Sequence, residues 1–312
     1  MLRKALSLLV LAVGCSIVSA GPYAPPAEQP GSTAIYMDDP NFISWATGIT
    51  LERGYVDIND PLKGYASYGS DANALGPANG DSYGIVSLGD GGVAVLTFAN
   101  PIADGPGYDF AVFENAFSDT FLEIGFVEVS SDGNNFFRFG SVSLTQTSTQ
   151  AGTFDSLDTT NLHNFAGKYR QAYGTPFDLE ELENINPLLN VNRVTHVRII
   201  DVTGCIEVSY RSYDSQGHKI NDPWPTPFST GGFDLDAVGV IHEKTVLADF
   251  NGDGIVNFYD YSIFAAAYLS KPGDGNWDQR CDISEPADNV IDMLDFMWLV
   301  DEWLNTERWY AQ

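Results

Sequence analysis

Between residues 249 and 260 the chain reads D-x-N-x-D-G-x-V-N-x-x-D. Oxygen-bearing side chains fall at loop positions 1, 3, 5, 9 and 12, which are Asp249, Asn251, Asp253, Asn257 and Asp260, with Gly254 at position 6. A hard cation such as Ca²⁺ takes six to eight oxygens, and twelve residues can bring them to one point only if the backbone turns sharply. Gly254 permits that turn because it adopts positive φ without a Cβ clash. Ile255 at position 7 would act through its carbonyl, which leaves its side chain free to be apolar.

The pattern returns 35 residues later. Asp288, Asn289, Val290, Asp292 and Asp295 repeat positions 5, 6, 7, 9 and 12. Asp282 and Ser284 stand at positions 1 and 3, with two extra residues inserted around Glu285–Ala287. Asn289 replaces the turn glycine, and Asn visits the left-handed region more readily than most residues. Two Ca²⁺ sites are therefore expected. Each loop runs into a segment with apolar residues at three- and four-residue spacing, Phe258–Leu269 and Met293–Leu304, so two short helices are predicted, each with one face to bury. Such helices are marginal alone, and packing against each other resolves this.

This duplicated loop–helix unit, covering about Leu247–Leu304, resembles the type I dockerin domain. The resemblance implies two bound Ca²⁺ and docking onto a cohesin-like partner or another cell-surface protein. Where that family often carries a Ser-Thr-like pair near the loop end, this chain has Phe258 with Tyr259, and Met293 with Leu294. That departure points to a greasier contact, with the chain's own first domain as one option.

The remainder reads as β. Residues 1–20 combine Arg3 and Lys4, an apolar run and a small-residue end, as a secretory signal peptide does. A loose lipobox ending at Cys15 leaves lipid anchoring as an alternative. Residues 21–32 are a proline-rich lead-in. From 33 to 243, short apolar segments alternate with turn residues, and strands are predicted at Val93–Phe98, Tyr108–Glu114, Ile124–Ser130, Asn135–Phe139, Val194–Val202, Ile206–Tyr210 and Ala237–His242. Brief helices are predicted at Asn41–Trp45 and Leu179–Asn184, and Asp155–Asn192 reads as a long excursion with little strand character. The expectation is a mostly β fold, a jelly-roll sandwich, followed by the small α-helical module at 247–304 and a tail at 305–312. Phrases such as Asp109, Phe110, Val112, Phe113, Glu114 and Asn115, and Gly231 to Val238, resemble the β-sandwich domain of secreted bacterial cell-surface proteins of unassigned function. Their strand grammar is similar to a galactose-binding-type jelly roll, which implies a binding fold and no particular chemistry.

Lys and Arg number 15 against 42 Asp and Glu, a formal net charge of −27. Such a surface repels nucleic acid and anionic membranes. No stretch reads as a membrane span. Cys205 and Cys281 either pair across the two domains or stay free. Glu114 is read as a solvated strand end or as a ligand for a cation or sugar. Asp234 and Asp236 hold an ion or form the polar face of a half-buried strand. Tyr169, Tyr173 and Trp224 are candidate sugar platforms if they lie on exposed loops, and core residues otherwise. The four histidines show no metal-ligand spacing and no nucleophile elbow appears, so no catalytic residue is assigned. The leading expectation is a secreted, non-catalytic protein whose sandwich binds a surface or polysaccharide ligand and whose calcium module attaches it to a partner or caps it. A secreted glycoside hydrolase or lyase carrying the same module is the alternative, because two suitably spaced carboxylates suffice for that chemistry.

Overall fold

The computed structural model describes residues 20–284 and 287–307. The leader reading, Cys15 included, thus falls almost wholly outside the described residues, as do two residues of the second-loop insertion and the tail from 308.

Thirteen strands and two α-helices make up the regular structure among the described residues. The strands are β1 (Ile35–Tyr36), β2 (Ser44–Trp45), β3 (Gly48–Glu52), β4 (Val86–Ser87), β5 (Val93–Ile102), β6 (Phe110–Glu114), β7 (Gly125–Ser130), β8 (Phe137–Arg138), β9 (Val142–Ser143), β10 (Leu162–His163), β11 (Tyr173–Phe177), β12 (Val194–Asp201) and β13 (Asp234–Val240). One antiparallel sheet runs β1-β11-β6-β13-β2, with β4 also on β13, and the other runs β3-β5-β12-β7-β8. Side chains from both, including Phe110, Val112 and Val238 from the first and Leu96, Val127, Val197 and Ile199 from the second, form one core. Both β6 and β13 are buried along their whole length; β6 reads as an apolar run closed by Glu114, while β13 carries Asp234 and Asp236 into the interior.

Three expected elements differ. Ile206–Tyr210 has β-forming residues but no strand partner, and Val208 is exposed. Asn41–Trp45 is not helical: Ser44 and Trp45 pair with the end of β13, and Phe42 and Trp45 pack over Gly239, where a Cβ would approach the Phe42 ring to 2.7 Å. The excursion at 155–192 contains β11, an inner strand between β1 and β6. Gly174 and Pro176 hide it in the sequence. Gly174 is required because the Phe113 ring lies 2.8 Å from where its Cβ would be.

The helices are α1 (Phe258–Ala267) and α2 (Met293–Asp301), each ending two or three residues before expectation. Leu269 and Leu304 turn the chain away at φ 63° and 67°. Their cores meet through Val256, Phe264, Ile291 and Leu299. The Cys205 and Cys281 thiols are both free and buried, so the pairing option is set aside. Burial pushes the Cys281 thiol up to about 12. No helix among the described residues is long and apolar enough to cross a membrane.

The junction between sandwich and helices is tightly held. The Lys244 backbone N–H donates to Pro101 O (2.7 Å), while its buried ammonium donates to Asp249 O (2.5 Å) and lies 3.6 Å from Glu307 Oε1. Glu307 in turn accepts from Thr245 N (2.8 Å), Thr245 Oγ1 (2.7 Å) and Val246 N (3.1 Å). Residues 305–307 therefore belong to the module rather than to a tail.

Candidate metal centre

The first loop is built around two buried carboxylates and one exposed one. Asp260, fully buried, accepts from Phe250 N (2.8 Å) and Asn251 N (3.1 Å) through Oδ1, and from Asn257 N (2.8 Å) through Oδ2. Asp249 accepts from Gly252 N and Gly254 N, both at 3.0 Å. Asp253 accepts from Ile255 N (3.1 Å) and stays exposed. Backbone N–H groups thus fix all three carboxylates, and one oxygen from each lies within 4.8 Å of the others. Gly252 and Gly254 hold φ at 73° and 87°, which is why the turn needs glycine. Asn251 contacts Asp253 through its amide (2.9 Å). Asn257 faces the helix, where its Oδ1 caps Tyr259 N (2.8 Å). Burial pushes the Asp260 carboxyl above its usual range, and the charge of Asp249 adds to this. A hard cation relieves that repulsion.

The second loop repeats most of these bonds. Asp295 accepts from Ile283 N, Ser284 N and Asp292 N, all at 2.8 Å, as Asp260 does from Phe250, Asn251 and Asn257. Asp282 accepts from Asn289 N (3.2 Å), as Asp249 does from Gly254. Asp288 accepts from Val290 N (2.9 Å), as Asp253 does from Ile255. Asn289 takes φ 63° in place of the glycine. Both helices carry the same capping box, Asn257 with Asp260 and Asp292 with Asp295. Ser284 and Asp288, on either side of the insertion, hold the places of Asn251 and Asp253 in the first loop. Asp282 Oδ1 is buried and accepts no hydrogen bond from any described group. The Asp282 carboxyl is raised by burial and then by the charge of Asp295.

The two units clasp each other. Val256 exchanges backbone bonds with Leu304 and Asn305 after α2, and Ile291 does so with Leu269 and Ser270 after α1. Each loop is therefore braced by the chain leaving the other helix.

The candidates on the sandwich fare differently. Tyr169 is 1% exposed and its hydroxyl bonds Thr33 Oγ1 (2.8 Å), so it is a core residue. Tyr173 lies on β11, held by Glu28 (2.7 Å) and covered by Arg170. Trp224 is half-buried and reaches Asp90 through its indole (3.4 Å). None of the three is a ring on a free loop. Asp236 sits at a bulge in β13 and accepts from Asn79 N (2.9 Å) and Gly80 N (3.0 Å), which saturates it as a structural brace. Glu114 and Asp234 are buried, so neither is a solvated strand end or an outward polar face.

Another acidic trio, Asp104, Asp109 and Asp178, also brings oxygens within 4.8 Å, from positions too scattered along the chain to form a readable motif. Its centre, Asp109, is already occupied by Gly105 N (2.8 Å), Leu179 N (2.6 Å) and His242 Nδ1 (2.7 Å), and serves as a brace. Burial, then the charge of Asp109, pushes Asp104 up to about 7. The folded state then holds a proton on Asp104 that the unfolded chain gives up near pH ~4. Stability should therefore fall as pH rises from about 4 to about 7. Asp104→Asn should make the fall shallower and raise stability at pH 8 by about 1 kcal/mol, after discounting for partial exposure. Urea titrations of both proteins at pH 5 and pH 8 check this; equal gains at both values would exclude it.

Compared with known proteins, the chain matches no family model, and no curated protein matches it.

Proposed function

We propose that the C-terminal module is a dockerin-like attachment unit that binds two Ca²⁺, and that it joins a secreted, non-catalytic sandwich of jelly-roll type to a partner protein. The observation that carries this reading is that the bonds to Asp260, Gly254 N to Asp249 and Ile255 N to Asp253 recur at Asp295, Asp282 and Asp288 despite the insertion in the second loop. Asp249, Asn251, Asp253, Asp260 and the Ile255 carbonyl would hold one ion. Asp282, Ser284, Asp288, Asp295 and the Val290 carbonyl would hold the other, with Asn257 and Asp292 as helix caps. Calcium would supply the positive charge that lets these acids stay ionised together.

The partner reading rests on a duplicated apolar surface. Phe258 and Tyr259 on α1 are 77% and 71% exposed, and Met293, Leu294 and Met297 on α2 are each more than half exposed. These side chains do not pack on the sandwich, so the greasy contact they imply is with another molecule, of cohesin-like or other cell-surface type. For a polysaccharide, the feature in favour is the cleft beside the junction, where Asn186, Asn190, Asn192 and Arg280 offer hydrogen bonds and Trp277 a ring face.

Calcium binding and folding are coupled when the ligands are clustered acids. Chelation with EDTA should lower the melting of the module by about 10 °C or more, and excess Ca²⁺ should restore it. A melting profile indifferent to EDTA would count against the reading. Mg²⁺ should restore less, because it demands a tighter octahedron.

A further inference from the structure

The sandwich buries acids of two kinds. In one kind the carboxylate is saturated by backbone N–H groups. Asp201 accepts from Gly91 N (2.9 Å) and Phe233 N (2.7 Å), and Asp236 and Asp109 are satisfied in the same way. In the other kind one oxygen is left over. Glu114 Oε1, Asp222 Oδ1 and Asp234 Oδ1 are buried and accept no hydrogen bond from any described group. These residues are 1%, 3% and 5% exposed.

The topology gathers these three at one end of the sandwich. Glu114 closes β6 opposite Leu235, the second residue of β13, so Asp234 lies beside it. Asn115 donates to Asp234 Oδ2 (3.2 Å). Asp222 arrives on the segment between β12 and β13, and its Oδ2 accepts from Ile124 N (3.3 Å), the residue after Glu123. Glu123 thereby joins the group. Burial raises all four carboxyls, and the charges of the neighbours raise Glu114 and Glu123 further, Asp234 being the largest such contribution in both. Among the described residues no Lys, Arg or His forms an ion pair with any of them. The Ser87 hydroxyl stands close enough to Asp234 to lower that carboxyl, although neither Ser87 Oγ nor Asp234 Oδ1 meets a partner in hydrogen-bonding geometry.

We infer that Glu114, Glu123, Asp222 and Asp234 form a third Ca²⁺ site, inside the sandwich and independent of the helical module. A hard divalent cation is the group that satisfies several carboxylate oxygens at once in a pocket without basic side chains. Asn115 acts by holding Asp234 in place, and Ser87 offers a neutral oxygen. No three of these acids close to the 4.8 Å mutual spacing of Asp249, Asp253 and Asp260, so the ion would draw the loops carrying Glu123 and Asp222 inward. A bound ion here ties β6, β13 and both loops together.

Native mass spectrometry of the full chain in calcium counts the ions. The wild type should hold three. Asp260→Ala combined with Asp295→Ala should retain one, and Glu114→Gln combined with Asp234→Asn should retain two. If the loop variant retains none, the sandwich site is overturned while the loop assignment stands. If the loop variant still holds the wild-type number, it is the loop assignment that fails. Should the Glu114→Gln/Asp234→Asn protein not fold, the ion retained by the loop variant decides the matter alone. Wild-type protein holding only two ions, both lost from the loop variant, would likewise overturn the inference.

Discussion

Asp260→Ala should abolish calcium binding at the first loop and destabilise the module by about 3 kcal/mol or more, the largest single-residue effect expected in this chain. The carboxylate accepts three backbone N–H groups, from Phe250, Asn251 and Asn257. Alanine leaves these donors without their acceptor, and each buried orphan costs about 1–3 kcal/mol. The capping box of α1 is lost as well. Asp253→Ala makes a useful contrast. Asp253 is exposed, so its loss should weaken the ion while leaving the calcium-free stability nearly unchanged. Thermal melts of both variants, with calcium and with EDTA, separate the two roles. A calcium-free melt of Asp260→Ala equal to that of the wild type would show that Asp260 does not organise the loop.

Glu307→Ala should release the module from the sandwich. Glu307 is 1% exposed and serves Thr245 N, Thr245 Oγ1 and Val246 N, and it is one of two acids within 4.0 Å of the Lys244 ammonium. Alanine orphans those Thr245 and Val246 donors, at about 1–3 kcal/mol for each buried one, and leaves the Lys244 ammonium with Asp249 alone. Native wild-type protein in calcium should resist trypsin at Lys244, because its backbone and side chain are both buried and bonded. The variant should be cut there promptly. Equal resistance in the two would mean that apolar packing of Val246 and Ala248 holds the junction without Glu307.

What could be read in advance follows from how local each feature is. The loops were legible because their ligands, turn residues and caps all lie within a dozen positions, and the same acids organise the backbone with or without distant partners. The helix ends were overrun because Leu269 and Leu304 continue the apolar spacing. Their left-handed turn is imposed by pairing with the opposite loop. On the sandwich, meaning depended on distant neighbours. Glu114 at a strand end looks solvated until β13, far along the chain, lays Leu235 and Asp234 beside it. Tyr169 looks like an exposed loop ring until Thr33 meets its hydroxyl. β11 was missed because its glycine and proline answer to the rings and edges of adjoining strands, not to their own propensity. Glu307, three residues past the expected module end at Leu304, gave no signal at all.

The central claim is that both C-terminal loops cage a calcium ion, and anomalous scattering from the full chain crystallised with calcium tests it most directly. Two peaks are predicted within the module, one bounded by Asp249, Asp253 and Asp260 and one by Asp282, Asp288 and Asp295, each with oxygens at about 2.3–2.6 Å. A well-ordered module with no anomalous peak at either loop would contradict it.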